Sequence, residues 1–169
     1  MHRPPHWSGF CKRTGFKSML VYAPIVMSLI LIAAMLIEAR TGKIPNLLSL
    51  LPFILFMLVL VTSPDPNAFG PQLIGAGVVQ VLGLALFAFA GFGAGAVKLL
   101  TGLALFVPRD QALVTFGIFV ATMFVGTFLI LQIRKRYADE NSDWVVLAKG
   151  VLPMSWPIGI AGLCLFWLL

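Results

Sequence analysis

Long apolar runs separated by short breaks of glycine, proline and charge dominate the chain. The runs cover about Ser18–Ile37, Pro45–Val61, Gln72–Phe92, Ala96–Val107, Gln111–Ile133 and Lys149–Leu169. About 20 apolar residues in a helix cross a hydrocarbon core of about 30 Å, and most of the runs approach that length. None shows the regular apolar–polar alternation that an outer-membrane barrel needs. The pattern predicts an all-α, polytopic integral membrane protein of about six transmembrane helices. Its breaks are Glu38–Lys43, Ser63–Pro71, Gly91–Gly95, Pro108–Asp110 and the opposed charges Arg134-Lys135-Arg136 against Asp139, Glu140 and Asp143. Pro45 suits a helix start. The Gly/Ala-rich third run predicts a central helix, because small residues let helix backbones approach closely. The fourth run is short, which leaves open whether it crosses fully.

Composition narrows the function classes. Of 169 residues, 60 % are hydrophobic and 11 % charged, against about 25 % charged in a soluble domain, so a soluble enzyme is excluded. The formal charge of +6 is spread over the ends of the runs, which reflects topology and membrane lipid rather than nucleic acid. Residues 1–17 form a basic, aromatic tail expected at the membrane interface, and 18–169 the transmembrane domain. If every run crosses, Arg40, Lys43, Lys98, Arg134, Lys135, Arg136 and Lys149 share one side, set against Arg109 and the tail's Arg3, Lys12, Arg13 and Lys17. That is a weak positive-inside bias. Cys11 and Cys164 lie at opposite ends, and His2 and His6 are the only histidines. No metal site and no cofactor is therefore expected.

Chemistry-bearing residues are few. Glu38, at the end of the first run, is the one candidate intramembrane carboxylate; it reads either as functional or as an interfacial residue that snorkels to water or pairs with Arg40 or Lys43. Asp65 and Asp110 fall in turns and are expected to be solvated. Gln80 and Gln132 suit interhelical hydrogen bonding. Gly91–Lys98 is glycine-rich but lacks the phosphate-loop spacing and the preceding strand; Lys98 is expected to mark a membrane boundary.

Three segments resemble a known family. Glu38-Ala-Arg-Thr-Gly-Lys-Ile44-Pro45-Asn46 is similar to the D-x-x-x-x-x-I-P-N signature of type IV prepilin peptidases. Gly93-Ala-Gly95-Ala96-Val97-Lys98-Leu-Leu100 resembles their G-x-G-D-V-K-L-L, and Leu152-Pro153-Met-Ser-Trp-Pro157-Ile-Gly-Ile-Ala161 their closing I-P-Y-G-x-P-I-A. The likeness extends over about residues 19–169, in family order and spacing. It implies a helical bundle of the bacterial inner membrane, of the short form associated with tight-adherence pili. It also implies an aspartic endopeptidase that cleaves prepilin-like leaders at the cytoplasmic face. Ile44, Pro45, Asn46, Gly93, Gly95, Lys98, Pro153 and Pro157 would support the motifs.

The departures fall on the catalytic positions. The family's two aspartates correspond to Glu38 and Ala96. An aspartic protease needs two carboxyl groups close enough to share a proton. Glu38 keeps the carboxyl but adds a methylene, about 1.5 Å in a constellation that tolerates about 0.5 Å. Ala96 has no proton to give, and loss of an acid–base group costs about 10²–10⁴-fold. From Phe87 to Phe106 the only ionisable side chain is Lys98. Two independent departures suit natural loss of activity better than an introduced substitution. The expectation is a non-catalytic, prepilin-peptidase-like membrane protein acting as a scaffold or accessory subunit, with a membrane-protein partner or larger complex. The alternatives are a leader endopeptidase with a prepilin-like substrate, captured as an inactive variant, and, more weakly, a small transporter.

Overall fold

The computed structural model describes residues 14–63, 65–90, 93–137 and 153–168. These form α1 (Thr14–Thr41), α2 (Asn46–Thr62), a 3-10 turn (Pro66–Phe69), α3 (Gly70–Ala90), α4 (Ala94–Ala104), α5 (Ala112–Tyr137) and α6 (Ser155–Trp167), with no strand among the described residues. The segments Tyr22–Thr41, Pro66–Phe89 and Ala112–Leu129 are long and apolar enough to cross a membrane. The other three helices are apolar but shorter. With 11 residues, α4 rises only about 16 Å, about half of a hydrocarbon core.

Several boundaries differ from the sequence expectation. Helix α1 starts at Thr14, inside the stretch read as tail, and continues through Glu38 to Thr41. The apparent polar break is thus largely helical. It ends at Gly42, whose positive φ of 69° forms a left-handed terminus and whose N–H donates to Glu38 O at 2.7 Å. Helix α5 carries the basic cluster Arg134–Arg136 inside its last turns rather than in a loop; Lys and Arg are good helix formers and suit a helix C-terminus. Residues 1–13, the acids Asp139, Glu140 and Asp143, and the start of the last run at Lys149–Leu152 lie outside the described residues.

Contacts fix the helix directions. Gly95 lies against Ile44 and Gly102 against Pro52, and Phe106 packs on Phe56 with ring centroids 5.7 Å apart, so α2 and α4 run parallel. Gly83 meets Val97 and Gln80 meets Thr101, so α3 and α4 are antiparallel. Trp156 bonds to Met35 and Trp167 to Ser28, so α6 is antiparallel to α1. The N-termini of α2, α4 and α6 therefore gather at the end of the bundle where α1 carries Glu38.

One buried apolar cluster joins α1 (Met27, Leu31, Ala34), α4 (Ala96, Val97, Leu99, Leu103) and α6 (Ile158, Leu165). A second lies toward the other end, around Phe56, with Phe69, Ala23 and Leu105. The expectation of a central third helix is overturned. Helix α3 packs on α4 and the 3-10 turn, and only 11 % of its apolar window is buried. Small residues permit close approach but do not create a neighbour: Gly83 is used, whereas Gly75 and Gly77 face open space.

Candidate functional site

The last turn of α1 carries the one carboxylate that the described residues place at the site. Glu38 is 8 % exposed, so it does not snorkel to water as an interfacial residue would. Its Oε2 accepts a hydrogen bond from the backbone N–H of Ser155 at 2.6 Å. The reason lies in α6. A helix start leaves N–H groups without intrahelical partners, and here the capping residue is Met154, which supplies no side-chain cap. Trp156 N–H finds Pro153 O at 3.1 Å, Pro157 has no N–H to satisfy, and Ser155 N–H is left for Glu38. A carboxylate suits that place because the helix N-terminus carries partial positive charge.

Two more bonds close this clasp. Ser155 Oγ donates to Ala34 O at 3.3 Å, and Trp156 Nε1 donates to Met35 O at 3.3 Å. Gly159 lies against the Met35 side chain, which occupies the space a β-carbon would take. Pro153 and Pro157 are both buried, and Pro157 O accepts from Thr122 Oγ1 of α5 at 3.4 Å.

On the facing side, the glycine-rich segment opens α4. Gly93 caps the helix with extended backbone and without a side-chain bond. Gly95 sits so close to Ile44 that a β-carbon would lie 2.9 Å from Ile44 Cβ and 3.0 Å from its carbonyl oxygen. Lys98 Nζ donates to Asn46 Oδ1 at 3.1 Å. Pro45 precedes α2 as its cap rather than as its first helical residue. Ala96 is 1 % exposed and belongs to the same buried cluster as Ala34, one turn before Glu38. The three sequence segments thus meet at one end of the bundle, through Ile44 and Asn46 on the second and Glu38 on the third.

A family model described as the type IV leader peptidase family aligns with residues 25–131. The chain belongs to that family. Comparison with curated proteins and with solved structures returned no match. The leader-peptidase match spans Glu38 and Ala96 but stops before Ser155. The part of the site that engages Glu38 therefore lies beyond the matched region.

Sequence reasoning missed Ser155 and Thr101. Thr101 Oγ1 donates to Gln80 Oε1 at 2.8 Å, which gives Gln80 the interhelical bond expected of it; Gln132 is exposed. Asp65 and Asp110 are exposed as expected, and Asp65 Oδ1 accepts from Asn67 N–H at 3.1 Å. The segment Pro-Met-Ser-Trp-Pro marks a helix start with Ser155 as its natural cap; the structure instead puts Met154 at the cap and Ser155 inside the helix. Among the described residues, no group of three or more His, Cys, Asp or Glu side chains gathers as a metal site.

Chemically, the described residues offer the Glu38 carboxylate, the Lys98 ammonium and several helix N-termini. A coupled pair of acids, which peptide hydrolysis by this design needs, is not assembled from Glu38 and Ala96.

Proposed function

We propose that this leader-peptidase-family chain is a multi-pass protein of the bacterial inner membrane that does not cleave leaders. In this reading it serves as a scaffold or accessory subunit, contacting a membrane-protein partner through its helices. The supporting observation is the Glu38–Ser155 bond: of the two positions that resemble the family's aspartates, the one with a carboxylate caps the start of α6, and the other is an alanine in apolar packing. Six apolar helices among the described residues support the multi-pass topology; α2, α4 and α6 are short, and α4 and α6 are the more buried of the three. The long helices α3 and α5 leave most of their apolar surface uncovered within this chain, which suits lipid and helix–helix contact.

The test is purification of the intact chain from its native membrane in mild detergent, followed by mass determination of the intact assembly. A second membrane protein at fixed stoichiometry is the expected result. A chain that runs alone under conditions where known membrane complexes survive would count against the proposal.

A further inference from the structure

Lys98 places a positive charge where the backbone is already positive. It belongs to the second turn of α4, and its ammonium reaches across to Asn46, the first helical residue of α2, where Nζ donates to Oδ1 at 3.1 Å. A helix N-terminus carries partial positive charge and favours anions over cations. Two such termini meet here, because Gly95 of α4 lies against Ile44, just before α2. Neither is capped by a side chain: Pro45 precedes α2 and Gly93 precedes α4. Lys43, in the turn that leads into α2, adds an exposed ammonium.

Negative charge is scarce around this edge. Among the described residues, the carboxylate at this end is Glu38, which is buried and accepts the Ser155 N–H. Position 96, on the same helix as Lys98, is a buried alanine in apolar packing. The partner that Lys98 does find, the Asn46 amide, is neutral. Immediately behind Asn46 the edge turns apolar. At about 100° per residue, Asn46, Leu50, Ile54 and Met57 fall within about 80° of one another on α2, and each of them is exposed. A ligand that fits here carries negative charge at one end and hydrocarbon behind it.

We propose that the α2–α4 edge at the Glu38 end of the bundle is a binding site for an anionic phospholipid. Its headgroup phosphate lies against Lys98, Lys43 and the start of α2, and an acyl chain runs along Leu50, Ile54 and Met57. The phosphodiester supplies the counter-charge that the two ammonium groups and two helix starts call for, in the way that basic pockets between membrane helices hold anionic headgroups. The inference rests on the membrane reading of the chain and holds whether or not the chain cleaves leaders.

The experiment places the full chain in nanodiscs holding equal amounts of phosphatidylglycerol and phosphatidylcholine, and native mass spectrometry weighs the lipids that stay bound on release. Phosphatidylglycerol should be retained over phosphatidylcholine. Lys98→Gln should lower that retention about fivefold, the effect of one basic residue near an anionic membrane surface. Asn46→Asp keeps the acceptor for Lys98 and suits a helix start, so the fold should hold while the added carboxylate lowers retention at least as far. Arg109→Gln, beyond the far end of α4, should leave retention unchanged. Equal retention of the two lipids, or the same fall from Arg109→Gln, would overturn the site. Displacement of the lipid by inorganic phosphate would overturn the lipid as its ligand. A chain that is stable in detergent but does not enter nanodiscs would overturn the membrane reading and the site together.

Discussion

Glu38 and Ser155 are 117 residues apart in sequence, yet the carboxylate of the first accepts the backbone N–H of the second at 2.6 Å. This one bond buries the Glu38 carboxylate and caps the start of α6. It also suits a glutamate: an aspartate at this position would be one methylene shorter, about 1.5 Å of reach, which leaves the Ser155 N–H without its partner if the helices stay in place.

The first prediction follows from that bond. Glu38→Ala strands a buried donor, at a cost of about 1–3 kcal/mol. Glu38→Gln keeps an acceptor oxygen and loses only the charge assistance, so it should cost roughly half as much. Glu38→Asp should behave like the alanine variant. Reversible unfolding in mixed micelles gives the order; equal stability for all three variants would remove the capping role.

Glycine positions divide into two classes. At Gly102, a β-carbon would lie 2.6 Å from Pro52 Cβ, a ring atom that cannot rotate away. Gly102→Ala should therefore destabilise by about 1–3 kcal/mol through overpacking. Gly75 and Gly77 have nothing within 4 Å, so alanine there should be neutral or stabilising by up to about 1 kcal/mol through helix propensity. The same unfolding measurement distinguishes the classes, and a reversed order would show that α3 packs differently.

Thr101 and Gln80 should be energetically coupled. Their hydrogen bond is the side-chain link between α3 and α4 seen among the described residues. A double-mutant cycle of Thr101→Val and Gln80→Leu should give a coupling of about 0.6–1.7 kcal/mol, the range for such bonds in membrane bundles. Additive effects would mean that the bond contributes nothing.

Much of this fold was legible in the chain itself. Apolar run length located the six helices of the described residues, because only a continuous helix satisfies its own backbone inside hydrocarbon. The motifs Ile44-Pro45-Asn46 and Gly93–Lys98 indicated which helix ends meet. What the sequence obscured was anything decided by a distant partner. Glu38 to Lys43 read as a polar break because charge in a membrane chain suggests a boundary, yet the helix continues until Gly42 permits a left-handed turn. The Gly/Ala content of α3 suggested centrality, although only Gly83 and Ala76 of its small residues are buried. Ser155 carried no chemical signal of its own; its importance comes from an N–H that every helix start exposes and that here has no local cap.

The central claim is that a chain whose Glu38 carboxylate is committed to a helix terminus, with alanine at position 96, does not hydrolyse peptides. The most direct measurement incubates the purified chain in lipid with a prepilin leader substrate and follows leader release. The account predicts no release above the protein-free control, and the same result for Glu38→Gln. Leader release by the unsubstituted chain that disappears in Glu38→Gln would contradict it.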